Sequence, residues 1–275
     1  MVPDQLPDHL RRRAPRACAA HELRLFFTAV QFYTRLPVPG WVGFEPPWLQ
    51  QASRYFPAVG IVVACIATLV YCLAFLLLRD KPVAVLLSTI AGILVTGAFH
   101  EDGFADACDG FGGGHTPERA IEIMTDSRVG AFGAIGIALM LGLKCATLSG
   151  MPAPVVVTAL LVAHPLSRLA ALGVIRLLDY AKESGKAKPV ARGIADRDLA
   201  LAALITLLPA MLFGLAQWMP WYGLAAGILP AALAWWGAVI FLRRRLGGYT
   251  GDCLGAVQQV TEVAFYLGVL AAVPR

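Results

Sequence analysis

Three aspartates, Asp102, Asp106 and Asp109, stand in the run HEDGFADACDGFGGG at residues 100–114. In a helix of about 100° per residue they project within an arc of about 60°, so three carboxylates share one face. At an effective dielectric near 20, like charges about 5 to 6 Å apart repel by about 3 kcal/mol, and a cation has to offset that repulsion. An oxygen-only donor set, with no histidine or cysteine on the face, suits Mg²⁺, with Mn²⁺ as a substitute, better than zinc. His100 and Glu101 point away from that face. The bland alternative, a solvated acidic face or a helix cap, fits less well, because the run lies between a long apolar stretch and the cluster Gly110, Gly112, Gly113 and Gly114. Glycines there let the backbone approach a bulky phosphate, or simply make a loop.

A second acidic group lies far along the chain, where GGYTGDCLGA at residues 247–256 opens the last apolar segment with Asp252. Gln259 and Glu262 follow at i+7 and i+10, forming a polar stripe with Asp252 on one helix face. An ionisable residue inside an apolar span is a functional or pairing site, and the structural pairing for Glu262 is with Arg168 or Lys144. The cations available to an anionic substrate are Arg35 and Arg54 before the first span, and Arg119 and Arg128 after the glycines. Arg128 closes TDSRVGAFG at the start of the third span, well placed to hold a phosphate. His164 precedes Pro165 and serves backbone freed by that proline. Neither a Walker A loop, a Ser-His-Asp arrangement nor an H-E-x-x-H helix occurs. Carboxylates, cations and glycines together point to metal-assisted phosphoryl transfer.

The elements that position these residues are membrane spans. Of 275 residues, 58% are hydrophobic and 15% charged, where soluble domains carry about 25% charged residues, and the mean hydropathy is +0.66. Uncharged or nearly uncharged stretches predict crossings at 55–78, 82–99, 129–149, 154–178 and 253–273, and a pair within 199–242 broken at QWMPWYG. The expected fold is therefore all-α, a polytopic bundle of about seven transmembrane helices. Residues 1–20 read as a poorly ordered basic arm and 21–275 as one membrane-embedded catalytic domain. Leu23, Phe26, Phe27, Val30 and Tyr33 recur at helical spacing, predicting an amphipathic helix at the membrane surface, with a helix docked on the bundle as the alternative. No cleavable signal peptide is evident in the arm. The arm and the loops at 100–128, 176–197 and 243–252 hold 18 of the 23 Lys and Arg, which places the N-terminus and the aspartates on the cytoplasmic side of an inner membrane. The six cysteines show no metal spacing and read as reduced packing residues, and no basic stripe suggests nucleic acid.

The segments FYTRLPVP (32–39), RYFPAVG (54–60), GAFHEDGFADACDGFGGG (97–114), ERAIEIMTDSRVGAFGAIG (118–136) and GGYTGDCLGA (247–256) resemble the cobalamin synthase, or adenosylcobinamide-GDP ribazoletransferase, family. The resemblance implies a Mg²⁺-dependent transfer from adenosylcobinamide-GDP to α-ribazole or its 5′-phosphate, with GMP released. It is also distantly similar to CDP-alcohol phosphotransferases, although their stricter D-x-x-D-G-x-x-A-R pattern is absent. On both lines Asp102, Asp106 and Asp252 are expected to hold metal, with Asp109 a further ligand or the base. Arg119 and Arg128 are expected to grip the diphosphate, with Gly112, Gly113, Arg35 and Arg54 also near substrate. A homo-oligomer, or an assembly with other corrinoid enzymes, is a further expectation. A lipid-headgroup phosphotransferase and, more distantly, a secondary transporter are the alternatives.

Overall fold

A computed structural model of the chain describes residues 13–181 and 193–273. Among them the elements are α1 (Arg13–Tyr33), α2 (Pro46–Ala52), a 3-10 turn (Ser53–Tyr55), α3 (Phe56–Leu78), α4 (Lys81–Thr96), α5 (Phe99–Gly113) and α6 (Pro117–Thr125). There follow α7 (Ala131–Ser149), α8 (Ala153–Leu177), α9 (Asp196–Leu215), α10 (Trp221–Leu246) and α11 (Gly251–Ala272). The sole β interaction among the described residues is an isolated bridge between Tyr180 and Tyr249. Local sequence sets many of the helix ends. Proline begins α2, α3, α4, α6 and α8, where its missing N–H would have no helical partner. Asp80 caps α4 through the Val83 N–H at 2.9 Å, and Thr116 and Thr250 cap α6 and α11.

Among the described residues six helical segments are long and apolar enough to cross a bilayer, or seven if α4 and α5 count together as one broken span. The fold is the expected all-α polytopic membrane bundle. The second crossing needs correction: α4 and α5 are bent by 90°, not one helix running on through the aspartates. Gly97 and Ala98 both adopt left-handed backbone, at φ 66° and 60°. The Ala98 N–H then bonds the Ile93 carbonyl at 2.9 Å, which closes α4. The break at 216–220 is as expected, with Trp218, Trp221 and Tyr222 exposed around it.

The bundle is organised around α11, which packs against α10, α5, α8 and α7, while α8 also packs along α3. These two helices are the most enclosed of the spans. By contrast, Leu69, Leu76 and Leu77 of α3, Leu139 of α7, Leu204 and Leu215 of α9 and Leu229 and Leu233 of α10 point outward. In water each such leucine would forgo roughly 1.5–3 kcal/mol of burial, a loss that hydrocarbon surroundings remove. The chain is a multi-pass membrane protein. Helix α1 docks on α2 and α3 through Leu25, Ala29, Val30 and Tyr33, while Leu23 remains exposed, so one face meets the bundle and the other faces outward. Of the arm expected over 1–20, residues 1–12 lie outside the described residues and α1 already begins at Arg13; residues 182–192 of the 176–197 loop also lie outside them.

Candidate active site

The candidate site forms where the N-terminal ends of α5 and α11 meet, with the start of α7 packed further along α5 against Asp109. Helix α5 carries Glu101 and Asp102 in its first turn and α11 carries Asp252 in its own, so both acidic ends complement the positive end of a helix dipole. Two glycines let the helices touch. A Cβ on Gly103 would come within 3.0 Å of the Cα and carbonyl oxygen of Asp252, and one on Gly255 within 3.0 Å of the His100 carbonyl oxygen. The α5–α11 crossing therefore brings the Asp252 backbone against the helix turn that bears Asp102 and Asp106, although 150 sequence positions separate Asp102 from Asp252.

Along α5 the three aspartates grade from exposed Asp102 through half-buried Asp106 to buried Asp109. Asp109 differs from the others in its partners. Its Oδ2 accepts the Gly130 N–H at 2.7 Å and its Oδ1 the Gly133 N–H at 2.8 Å, so it satisfies donors at the start of α7 that have no helical partner. A side chain on Gly130 or Gly133 would strike that carboxylate. His100 and Glu101 face the opposite way, buried in the bundle, as the helical spacing predicts.

The glycine loop expected after the aspartates is not a loop, because Gly110, Gly112 and Gly113 lie in the last turns of α5. Gly110 packs against Met124 and Gly112 against the Phe132 ring, so they serve close helix packing, although Gly112 and Gly113 stay exposed. The α5 C-terminus is closed by Arg245, whose guanidinium donates to the carbonyls of Phe111 at 3.3 Å and Gly114 at 2.8 Å. Arg245 also lies over the rings of Phe111 and Phe241. Nothing local in the sequence reveals this bond, whose partners are 131 residues apart.

The expected substrate-binding arginines divide. Arg128 is exposed and forms a two-pronged pair with Asp126, Nη2 to Oδ2 at 2.6 Å and Nε to Oδ1 at 3.0 Å, which together with the Arg128 N–H holds the Asp126 carboxyl down at about 2. Arg119 pairs with Glu122 at 2.7 Å, also in the open. Arg35 lies over Gly97, where any side chain would strike its guanidinium, and its N–H bonds the Val95 carbonyl at 2.7 Å, so it braces the α4–α5 break. Arg54 is buried and committed elsewhere, its two terminal nitrogens held by Glu22 at 2.5 Å and Asp198 at 2.9 Å. It ties α1, the 3-10 turn and α9 together.

Deeper in the membrane region, Glu262 pairs with Lys144 at 2.5 Å, one of the two partners expected for it. Gln258 and Tyr266 also donate to its carboxylate, at 2.5 and 3.1 Å. The His164 carbonyl accepts from Arg168 Nη1 at 2.9 Å and Ser167 Oγ at 3.0 Å, whereas the carbonyl that Pro165 deprives of its helical donor is that of Leu161, four residues earlier, so His164 does not have the backbone role expected of it. Gln259 Nε2 donates to Glu101 at 2.9 Å. Sequence reasoning singled out Gln259 and passed over Gln258.

As for a divalent cation, no three His, Cys, Asp or Glu side chains among the described residues are grouped closely enough to hold one unaided. Mg²⁺ ordinarily binds through one or two carboxylates, with waters and substrate phosphates completing its shell. The carboxylates of Asp102 and Asp106, one turn apart at an exposed edge, fit that mode.

A family model described as cobalamin-5-phosphate synthase matches residues 25–270. The chain is 45% identical over 272 residues to the adenosylcobinamide-GDP ribazoletransferase of Leptothrix cholodnii, covering 94% of this chain and 98% of that protein. It is 44% identical to the enzymes of the same name from Ralstonia pickettii, covering 89% and 94%, and Shewanella frigidimarina, covering 91% and 95%. No solved structure matches. With most of its length matched in this way, the chain belongs to the cobalamin-5-phosphate synthase family of adenosylcobinamide-GDP ribazoletransferases.

Proposed function

We propose that the chain joins adenosylcobinamide-GDP to α-ribazole, or to α-ribazole 5′-phosphate, at the meeting of α5 and α11. The observation that carries this reading is the seating of Asp252 on Gly103, which unites the acidic turns of two distant segments in a member of this family. The ribose 3′-hydroxyl oxygen would form a bond to the cobinamide-side phosphorus while the bond from that phosphorus to the bridging oxygen breaks. GMP leaves with that oxygen, and the hydroxyl proton passes to solvent.

Asp102, Asp106 and Asp252 would hold Mg²⁺, or Mn²⁺ in its place, together with diphosphate oxygens. When bound, such a cation neutralises charge on the diphosphate and on departing GMP. The chain's own groups do the rest. The N-terminal ends of α5 and α11 favour an anion between them. Arg128 and Arg119, both on exposed stretches, exchange their present carboxylate partners for phosphate oxygens, and Gly112 and Gly113, packed on one side against Phe132 and Ile123 and exposed on the other, present bare backbone to the substrate. Asp109 keeps α7, and with it the Arg128 turn, fixed against α5. Arg35 acts by bracing the break before α5, whereas Arg54, with both nitrogens occupied, acts in the fold.

The basic ends of α8 at Arg176 and α10 at Arg243, Arg244 and Arg245 support an orientation with the site facing the cytoplasm across an inner membrane. The test is reconstitution. Purified protein in detergent is given adenosylcobinamide-GDP, α-ribazole and Mg²⁺, and the products are separated and weighed. GMP and a corrinoid heavier by the ribazole moiety, both lost on chelation, are expected; substrate recovered intact in the presence of Mg²⁺ would remove the proposal.

A further inference from the structure

Within the bundle, between α3, α4, α5, α7, α8 and α11, lies a small polar chamber with about 20 Å³ of room for the centre of a water molecule. Its walls carry Glu101, Lys144, Arg168, Gln258, Gln259 and Glu262, all buried. Two positive and two negative side chains balance there, so the chamber asks for no further ion. It does ask for hydrogen bonds. Glu101 Oε2, Gln258 Oε1, Gln259 Oε1, Arg168 Nε and His100 Nε2 are buried and meet no partner among the described residues. The orientation of each amide follows from its neighbours: Gln259 turns its nitrogen to the Glu101 carboxylate at 2.9 Å, and Gln258 turns its nitrogen to Glu262 and to Ser167 Oγ at 3.0 Å. A carboxylate only accepts. Both amide oxygens are therefore left as acceptors.

Buried polar groups nearly always find a partner, and these need a molecule that both donates and accepts. Water does so with two O–H donors and two lone pairs. The space admits about one such molecule, since roughly 10–15 Å³ on this measure holds one. We propose that this chamber binds ordered water, one or two molecules, which complete a tie between Glu101 on α5 and the Gln258–Gln259 pair on α11. Glu101 precedes Asp102, and Gln259 lies two turns below Asp252 on its helix. The tie thus fixes the register of the two helices whose aspartates face substrate, and Glu101 and Gln259 are positioning residues. This second statement rests on the function proposed above; the water site does not.

Two measurements test it. The first is a structure of the wild-type protein in lipid nanodiscs at a resolution that shows ordered water. One or two waters hydrogen-bonded to Glu101 and Gln259 are expected. A dry chamber, or density ringed by six oxygens at about 2.1 Å as Mg²⁺ would be, overturns the proposal. The second compares E101Q, Q259E and the swapped pair E101Q/Q259E. The swap keeps the net charge and an amide-to-carboxylate bond while reversing its direction. Each single change should lower kcat by about a hundredfold, the scale of a small misplacement of reacting groups, with KM for adenosylcobinamide-GDP little changed. The swap should recover most of the loss. A folded swapped protein no more active than the worse single variant overturns the positioning role, and that comparison can be made against wild type if a single variant fails to fold. Wild-type protein that forms no GMP would instead remove the proposed function and leave the water site to the first measurement.

Discussion

Asp252 rests with its backbone directly on Gly103, so closely that a single methyl group on that glycine would stand within 3.0 Å of both the Cα and the carbonyl oxygen of Asp252. Contacts of that kind with backbone cannot be relieved by a side-chain rotation. Gly103→Ala must push α5 and α11 apart by a few tenths of an ångström, and Gly103→Val by more. Activity should fall by about ten- to a hundredfold in the alanine variant, and further in the valine variant, with helix content by circular dichroism unchanged. A fully active Gly103→Val protein would mean that the aspartates of the two helices need not meet.

The carboxylates themselves are tested by charge removal at constant shape. Asp102→Asn, Asp106→Asn and Asp252→Asn should each lower kcat by about 10²–10³-fold, the range for loss of one charge-stabilising group. Raising Mg²⁺ should recover part of the rate in a variant that has lost one of several oxygen ligands. Initial rates against Mg²⁺ and Mn²⁺ concentration measure this, and a variant with an unchanged metal dependence would take that aspartate out of the metal-holding set.

Asp109 should behave differently from these three. Asparagine offers one acceptor oxygen where the carboxylate offers two to Gly130 and Gly133. Asp109→Ala should then cost about 1 kcal/mol of stability, as loss of an N-terminal cap does, and Asp109→Asn less. Thermal unfolding in detergent reads this directly. A stability unaffected by Asp109→Ala, with activity abolished, would return Asp109 to the reacting groups.

The contrast among these aspartates shows where sequence is legible and where it stops. Their common face follows from helical periodicity alone, as does the turning of His100 and Glu101 away from it, because period is a local property. The break before α5 was hidden: Gly97 can signal a left-handed residue, but Ala98 in the same conformation works against its own steric preference, roughly 1–2 kcal/mol. The partners of Asp109, Arg245 and Arg54 were hidden for another reason. Arg54 and Asp198 are 144 residues apart, and in a single sequence an arginine committed to a buried carboxylate looks the same as one waiting for phosphate.

The Lys144–Glu262 pair offers a test of the bundle's interior apart from the reaction. Removing one partner leaves a buried charge uncompensated, with a cost of about 3–5 kcal/mol, whereas replacing both with apolar groups is often nearly neutral. Lys144→Met and Glu262→Leu should therefore each depress the unfolding midpoint steeply, and the double variant should recover most of it. If the double variant is as unstable as the sum of the singles, the two charges are not each other's principal partners.

The last expectation concerns acid. Burial alone would raise the Glu22 carboxyl, but the Tyr55 hydroxyl at 2.7 Å and the Arg54 guanidinium outweigh it and hold the group below its ordinary value of 4.5. A depressed folded-state value contributes stability that is fully present above the unfolded value and is lost as pH falls through the folded one. The clamp of α1 onto the bundle should thus be intact at neutral pH and weaken progressively below about pH 4.5. Glu22→Gln removes the titrating group, so its unfolding midpoint should start lower at pH 7 and converge on that of wild type as the pH drops. Curves that run parallel from pH 7 to pH 3 would show that Glu22 contributes no proton-linked stability and that α1 is held by its apolar face alone.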